Sequence, residues 1–353
     1  MRQLFNRITL FFLAMILVVF PFSWSSVHAA DSYKSLDLYF PTDIDGHWAY
    51  ETLDNFVNAD LLNGYSLGNG EVALKPNHPI TRAEFVAILV QATGLHSTAQ
   101  GKTFSDVKAG KWYAESVRIA SSLGVVGGVS STKFGPDLPI TRGDIAVMVV
   151  RAFSSTVEFK GTAKTFKDVP NYYASAAISK ASQAGIVSGM TATTFQPFAK
   201  ATRAQAVVML ERALKLEQTE LPDTAELTTL ASNATESEIK AMTEHNYDQM
   251  SVTYATYYTG YQLSYNFTSL EDLTSTLDEE TSMDIETLSQ PDFSVIENSN
   301  RYAVLEAAGG KMKITINSGE GKQEETVSMD GLYKLRKMND NSWKIYAILP
   351  YEE

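Results

Sequence analysis

"PITRAEF" at residues 79–85 returns as "PITRGDI" at 139–145 and, blurred, as "KATRAQA" at 200–206. The threonines Thr81, Thr141 and Thr202 stand 60 and 61 residues apart. A threonine here reads as a helix N-cap, with Glu84 three residues on closing a capping box. Ile80 and Phe85 flank the cap as a hydrophobic staple. Thr141, with Ile140 and Ile145, repeats the arrangement around a shorter acid, Asp144. Thr202 with Gln205 keeps the box, while Ala201 and Ala206 make a poor staple. Beyond each cap the apolar residues fall at helical spacing: Phe85, Ile88, Leu89, Ala92; Ile145, Met148, Val149, Ala152; Ala206, Met209, Leu210, Ala213.

The repeat extends well outside this stretch. Asp43, Asp106 and Asp168 correspond, as do Trp48, Trp112 and Tyr173, and then Gly64, Gly128 and Gly189. Leu74, Phe134 and Phe195 follow, each two residues before Pro76, Pro136 or Pro197. The first copy has four extra residues between its glycine and its proline. A fixed period near 60 residues marks units that bury their apolar faces against one another. Each unit reads as helix, loop, helix. In the second copy the first helix is expected from Ala114 to Leu123, stopped by Gly124.

Capping explains the threonine and the acidic position but not the arginine. Arg82, Arg142 and Arg203 each fall at the first helical position, where the partly positive helix end disfavours a cation. Two readings stay open. The arginine and the exposed amides together form an anion site, or the arginine pairs with Asp43, Asp106 or Asp168.

The chain has 353 residues, a formal charge of −12, no basic tract and no cysteine. The charge argues against nucleic acid, which demands clustered Lys and Arg. Arg2 and Arg7 precede an apolar run from Ile8 to Phe22, and Val27-His28-Ala29 fits a cleavage site. Residues 1–29 are therefore expected to be a secretory signal peptide, leaving no membrane contact after cleavage. An exported chain without disulfides rests on core burial alone.

The ordered set "FSDV" 104–107, "WYA" 112–114, "GVVGG" 124–128, "FGP" 134–136 and "PITRGD" 139–144 resembles the S-layer homology domain. Three tandem copies fit, at 40–96, 102–156 and 164–216. The resemblance implies a mainly α, pseudo-threefold unit with a central helical bundle. It also implies a protein of the bacterial cell wall and surface layer. Grooves between adjacent copies would bind secondary cell wall polysaccharide linked to peptidoglycan, often capped by an anionic pyruvate ketal. Carried over by position, Arg82, Arg142, Arg203, Gly64, Tyr65, Gly128, Gly189, Trp48 and Trp112 are the candidate ligand-binding residues. The two tryptophans read either as sugar-stacking residues or as core. Val129 and Met190 stand where Tyr65 keeps the family's tyrosine. Tyr173, Ala201 and Gln205 also depart from the pattern, so one or two grooves are expected to be competent and the third copy mainly structural.

After Leu216 the text turns acidic and Thr-rich, and 217–234 reads as a linker. Residues 235–353 read as a smaller α+β domain that folds by itself. Thr235 with Glu238 is expected to cap a helix bearing Ile239, Met242 and Met250. A second helix is expected near Leu270, Leu273 and Leu277. "RYAVLEAA" and "KMKITINS" read as a hairpin across Gly309-Gly310, and "GLYKLRKM" with "SWKIYAILP" as another. The last strand weakly resembles that of nuclear-transport-factor-like cone domains. Tyr254, Tyr257, Tyr258, Tyr261 and Tyr265 read as half-buried core or as the lining of a cavity. The scattered histidines form no metal site, no nucleophile motif is visible, and no cofactor is expected. The chain reads as a wall-anchored, non-enzymatic surface protein whose last domain, 235–353, is either a structural module or a binding module for an envelope or surface-layer protein. The alternative is an anchored enzyme acting on envelope glycan or peptide.

Overall fold

A computed structural model describes residues 33–68, 70–276, 282–318 and 321–351. The expected signal peptide lies outside them. The repeats supply six helices: α1 (Tyr50–Asn58), α2 (Arg82–Thr93), α3 (Ala114–Ser122), α4 (Arg142–Ala152), α5 (Ser175–Gln183) and α6 (Arg203–Leu214). Thr81 and Thr202 form full capping boxes with Glu84 and Gln205. Thr141 accepts from the Asp144 amide at 3.1 Å, but the shorter acid is not found bonded back to the Thr141 amide. The extra residues of the first copy form a small hairpin, β1 (Tyr65–Ser66) with β2 (Val72–Ala73).

The residues ahead of the caps lace the copies into a closed ring. Ile140 N donates to Ile80 O, Ala201 N to Ile140 O, and Ile80 N to Ala201 O, at 2.9–3.1 Å. These three residues are fully buried. The same order holds for the helix packing: α3 lies on α2, α5 on α4, and α1 closes back on α6. The aspartates have a different task from the arginine pairing left open above. Asp43 accepts from the amides of Leu74 and Lys75, Asp106 from Phe134 and Gly135, and Asp168 from Phe195 and Gln196, all at 2.7–2.8 Å. Each one ties the start of its copy to the segment before the next cap.

The C-terminal half has its own core of three helices and two sheets. Its helices are α7 (Thr224–Thr243), α8 (Tyr247–Tyr257) and α9 (Gly260–Thr276). Its strands are β3 (Ser282–Ser289), β4 (Asp292–Asn298), β5 (Tyr302–Ala308), β6 (Lys311–Ser318), β7 (Gly321–Ser328), β8 (Gly331–Lys337) and β9 (Trp343–Pro350). They pair antiparallel in the orders β3-β6-β7 and β4-β5-β8-β9.

Three expectations are corrected here. Helix α7 starts at Thr224, capped by Asp223, so much of the expected linker is helical and Thr235 is a buried mid-helix residue. It ends before His245, whose φ of +51° breaks it from α8. Gly309-Gly310 does not close a hairpin, because β5 pairs with β4 and β8 while β6 pairs with β3 and β7. The glycines carry the chain from one sheet to the other, and a Cβ on Gly310 would stand 2.8 Å from the Pro291 ring. The β8–β9 hairpin is as expected.

The two cores touch. Tyr346 of β9 is buried against the repeat core and donates to Asn55 Oδ1 at 2.8 Å. Tyr302 donates to Ala92 O at 3.0 Å, and Arg336 to Ala59 O. Gly260 sits so close to α1 that a Cβ would lie 2.1 Å from Asn58 O. The C-terminal half thus docks on the first copy and is not held by a tether alone.

Candidate functional site

The arginine at the start of each second helix points into the junction with the next copy around the ring. All three are buried, with 3–6% of their surface exposed. Arg82 Nε donates to Phe134 O at 3.0 Å, and Arg142 Nε to Phe195 O at 2.9 Å. Both guanidinium groups lie over the ring of that same phenylalanine, at 5.1 and 4.6 Å. Arg203 stacks on Tyr65 at 4.8 Å instead. Burial lowers the proton affinity of Arg82 and Arg142, but an arginine keeps its charge throughout the physiological range.

The carboxylate partner comes from the neighbour's capping box. Arg203 Nη1 reaches Glu84 Oε1 and the Tyr65 hydroxyl, each at 3.0 Å, and Nη2 reaches Asn63 O at 3.1 Å. Tyr65 also donates to Glu84. Burial first, and then this carboxylate, push the Tyr65 hydroxyl up to about 12. Burial alone would raise Glu84, yet the Tyr65 and Thr81 hydrogen bonds and Arg203 bring it below the usual range. Arg82 Nη1 lies 3.4 Å from Asp144 Oδ2, and Tyr173 donates to the other oxygen at 2.7 Å. At Arg142 the matching position is Gln205, whose amide nitrogen turns to Met190 Sδ at 3.6 Å. Sequence spacing reveals these acids as caps; it cannot reveal that they serve a different copy.

The aromatic positions are on the outside. Trp48, Trp112 and Tyr173 are 63–69% exposed, which corrects the core reading of the tryptophans. A groove of about 660 Å3 runs between the first two copies, lined by Asn63, Gly64, Tyr65, Trp112, Ser116 and Arg203 among others. Three copies therefore meet in one groove: loop and helix from the first, Trp112 from the second, Arg203 from the third.

The glycines have local reasons. Gly128 and Gly189 have φ of +83° and +87°, and a Cβ would lie 2.6 Å from Phe104 or Phe166. Gly64 has no such strain, though a Cβ would press on Val72 at 3.0 Å. Among the described residues no group of His, Asp or Glu suits a metal ion, and no helix is long and apolar enough to cross a membrane.

The model of the S-layer homology domain matches residues 42–86, 103–146 and 165–207. The chain carries three S-layer homology domains. Proteins similar to it include a cellulosome-anchoring protein of Acetivibrio thermocellus, 30% identical over 45% of this chain and 36% of that protein. A surface-layer 125 kDa protein of Lysinibacillus sphaericus is 29% identical over 53% of this chain and 16% of its own length. An amylopullulanase of Thermoanaerobacterium thermosulfurigenes is 28% identical over 48% of this chain and 9% of its own. The chain thus spans a small part of these relatives, about a third at most. The matched S-layer homology domains contain all three arginines and all three exposed aromatics.

Proposed function

We propose that the three S-layer homology domains hold this protein non-covalently on the bacterial cell wall by binding secondary cell wall polysaccharide, a polymer bearing a pyruvate ketal. The domains act as one pseudo-threefold unit, in which α2, α4 and α6 form the central bundle. The closed ring of backbone hydrogen bonds supports that reading. One observation carries the ligand assignment: exposed Trp112 borders an open groove at whose end a buried arginine sits. Sugar rings stack on aromatic faces, and an anionic substituent seeks a guanidinium. The cellulosome-anchoring and surface-layer names of the relatives agree with a place at the cell surface. The protein is exported, and residues 235–353 present a structural or protein-binding surface and carry no catalysis.

The test is co-sedimentation of the exported protein with purified sacculi. Binding is expected to native sacculi and to be lost when hydrofluoric acid strips the secondary polymer. Equal binding to stripped walls would make peptidoglycan the ligand. A second reading, an enzyme carried on the same anchor, draws on the amylopullulanase relative. Release of sugar or peptide from purified envelopes would support it.

A further inference from the structure

The groove between the first two copies is longer than its arginine end requires. Glu84, Ala87, Ile88 and Gln91 share one face of α2 and line it from the first turn of that helix onward. Gly94, Leu95 and His96 line its far end. Glu84 and Gly94 are ten residues apart. At a helical rise of 1.5 Å per residue that is about 15 Å, more than a single pyranose ring occupies. The matched S-layer homology domain of the first copy stops at residue 86, so the far end lies beyond it. Part of the lining there comes from the C-terminal half: Asn339, in the turn between β8 and β9, borders the same groove.

The fold holds this turn in place. Lys337 N donates to Arg301 O at 2.8 Å, and the Arg301 guanidinium is packed so closely on Gly94 that a Cβ there would collide with it. Met338 N donates to Ser342 O at 2.7 Å and Asn341 N to Met338 O at 3.1 Å, while Asp340 accepts from the Ser342 amide at 3.0 Å. The bonds from Tyr302 and Arg336 to the first copy fix the strands behind it. Asn339 and His96 are exposed, and among the described residues neither side chain has a hydrogen-bond partner. A braced turn thus offers an amide whose donor and acceptor are both unused, beside an exposed imidazole.

We propose that the C-terminal half is part of the wall-binding site: Asn339, with His96, holds an uncharged sugar of the wall glycan, further along the polymer than the sugar at the arginine end. An amide and an imidazole both donate and accept, which suits hydroxyl and acetamido groups. Trp112 and Ile119 supply apolar surface for the ring faces. The docking of the two cores sets Asn339 in place before the glycan arrives, so little ordering is lost on binding. This assignment rests on the wall-anchoring reading and adds to it a contact that the three repeats by themselves do not contain.

The test uses the whole protein and calorimetric titration with secondary polysaccharide released from purified sacculi, size-fractionated into pieces of one repeating unit and of two. Wild type is expected to bind the longer piece at least tenfold more tightly. Asn339→Ala and His96→Ala should each bind the one-unit piece as wild type does and lose at least threefold in affinity for the longer one. Both side chains are exposed, so unchanged melting temperatures report that the variants fold. Asn339→Gln, which keeps the amide, should recover part of the loss. If both alanine variants bind the longer piece as tightly as wild type, or if wild type gains nothing from the second unit, the assignment is overturned while anchoring stands. If wild type binds neither the pieces nor sacculi, the anchoring reading fails and takes this one with it.

Discussion

Arg203 and Glu84 form an ion pair at 3.0 Å although 119 residues separate them. The acid that caps the first long helix of the ring is also the counter-ion of the arginine that starts the last. Glu84 therefore closes the ring chemically as well as locally. Glu84→Ala should lose the capping box and leave Arg203 buried without its carboxylate. The expected cost is about 3 kcal/mol, a cap near 1 plus part of a broken buried pair. Urea unfolding checks it, and a cost below that of the cap alone would mean that the pair contributes nothing.

Asp168→Ala should cost about 2 kcal/mol, because two backbone amides lose a charged acceptor. Burial by itself would raise this carboxyl, yet the amides of Phe195 and Gln196, with Arg142 nearby, hold it below the usual range. A depressed carboxyl stabilises the fold above its unfolded pKa, near 4, and loses that contribution as pH falls through the folded value. Thermal melts of wild type should therefore fall more steeply below about pH 4 than those of Asp168→Ala.

Glu238 works the other way. It is buried in the C-terminal core, accepts from the Tyr258 hydroxyl at 2.7 Å, and borders a water-sized cavity of about 20 Å3 beside Asn266 and Tyr333. Burial raises its carboxyl to about 7, against the hydroxyls of Tyr258 and Tyr254, which pull it down. The folded state then holds a proton that the unfolded chain gives up between about pH 4.5 and 7, so stability falls across that window. Glu238→Gln should remove the slope and stabilise the protein at pH 8 by up to about 3 kcal/mol. Guanidinium unfolding at pH 5 and pH 8 reads the difference.

Trp112→Ala should leave the melting temperature almost unchanged, since an exposed side chain contributes within about 0.5 kcal/mol. Wall binding should weaken about tenfold, the value of covering such a ring by a sugar. A large fall in stability with normal sedimentation would make this tryptophan structural.

The local features of the repeats were legible in the sequence because they depend on near neighbours. The threonine caps, the helix faces behind them and Gly124 at the end of α3 all lie where the spacing of residues places them. The β8–β9 hairpin was legible for the same reason. The pairing of β5 and β6 was not, because both strands alternate equally well and only the packing of two sheets assigns their partners. Trp48 and Trp112 show the same limit: an aromatic before a helix is compatible with core or surface, and the ring of copies leaves both outside.

The arginines mark the boundary most clearly. Their place at a helix start follows from the sequence alone, as does the series Glu84, Asp144, Gln205 three residues behind each cap. Read along the chain, Gln205 belongs with Arg203 and marks a weakened third copy. In the folded molecule each arginine crosses into the next copy, so Gln205 stands at the Arg142 junction and Glu84 serves Arg203. A one-dimensional pattern records which residue each copy carries. Which charges meet is decided by the closure of the ring, because electrostatic energy depends on distance in space and not on separation along the chain.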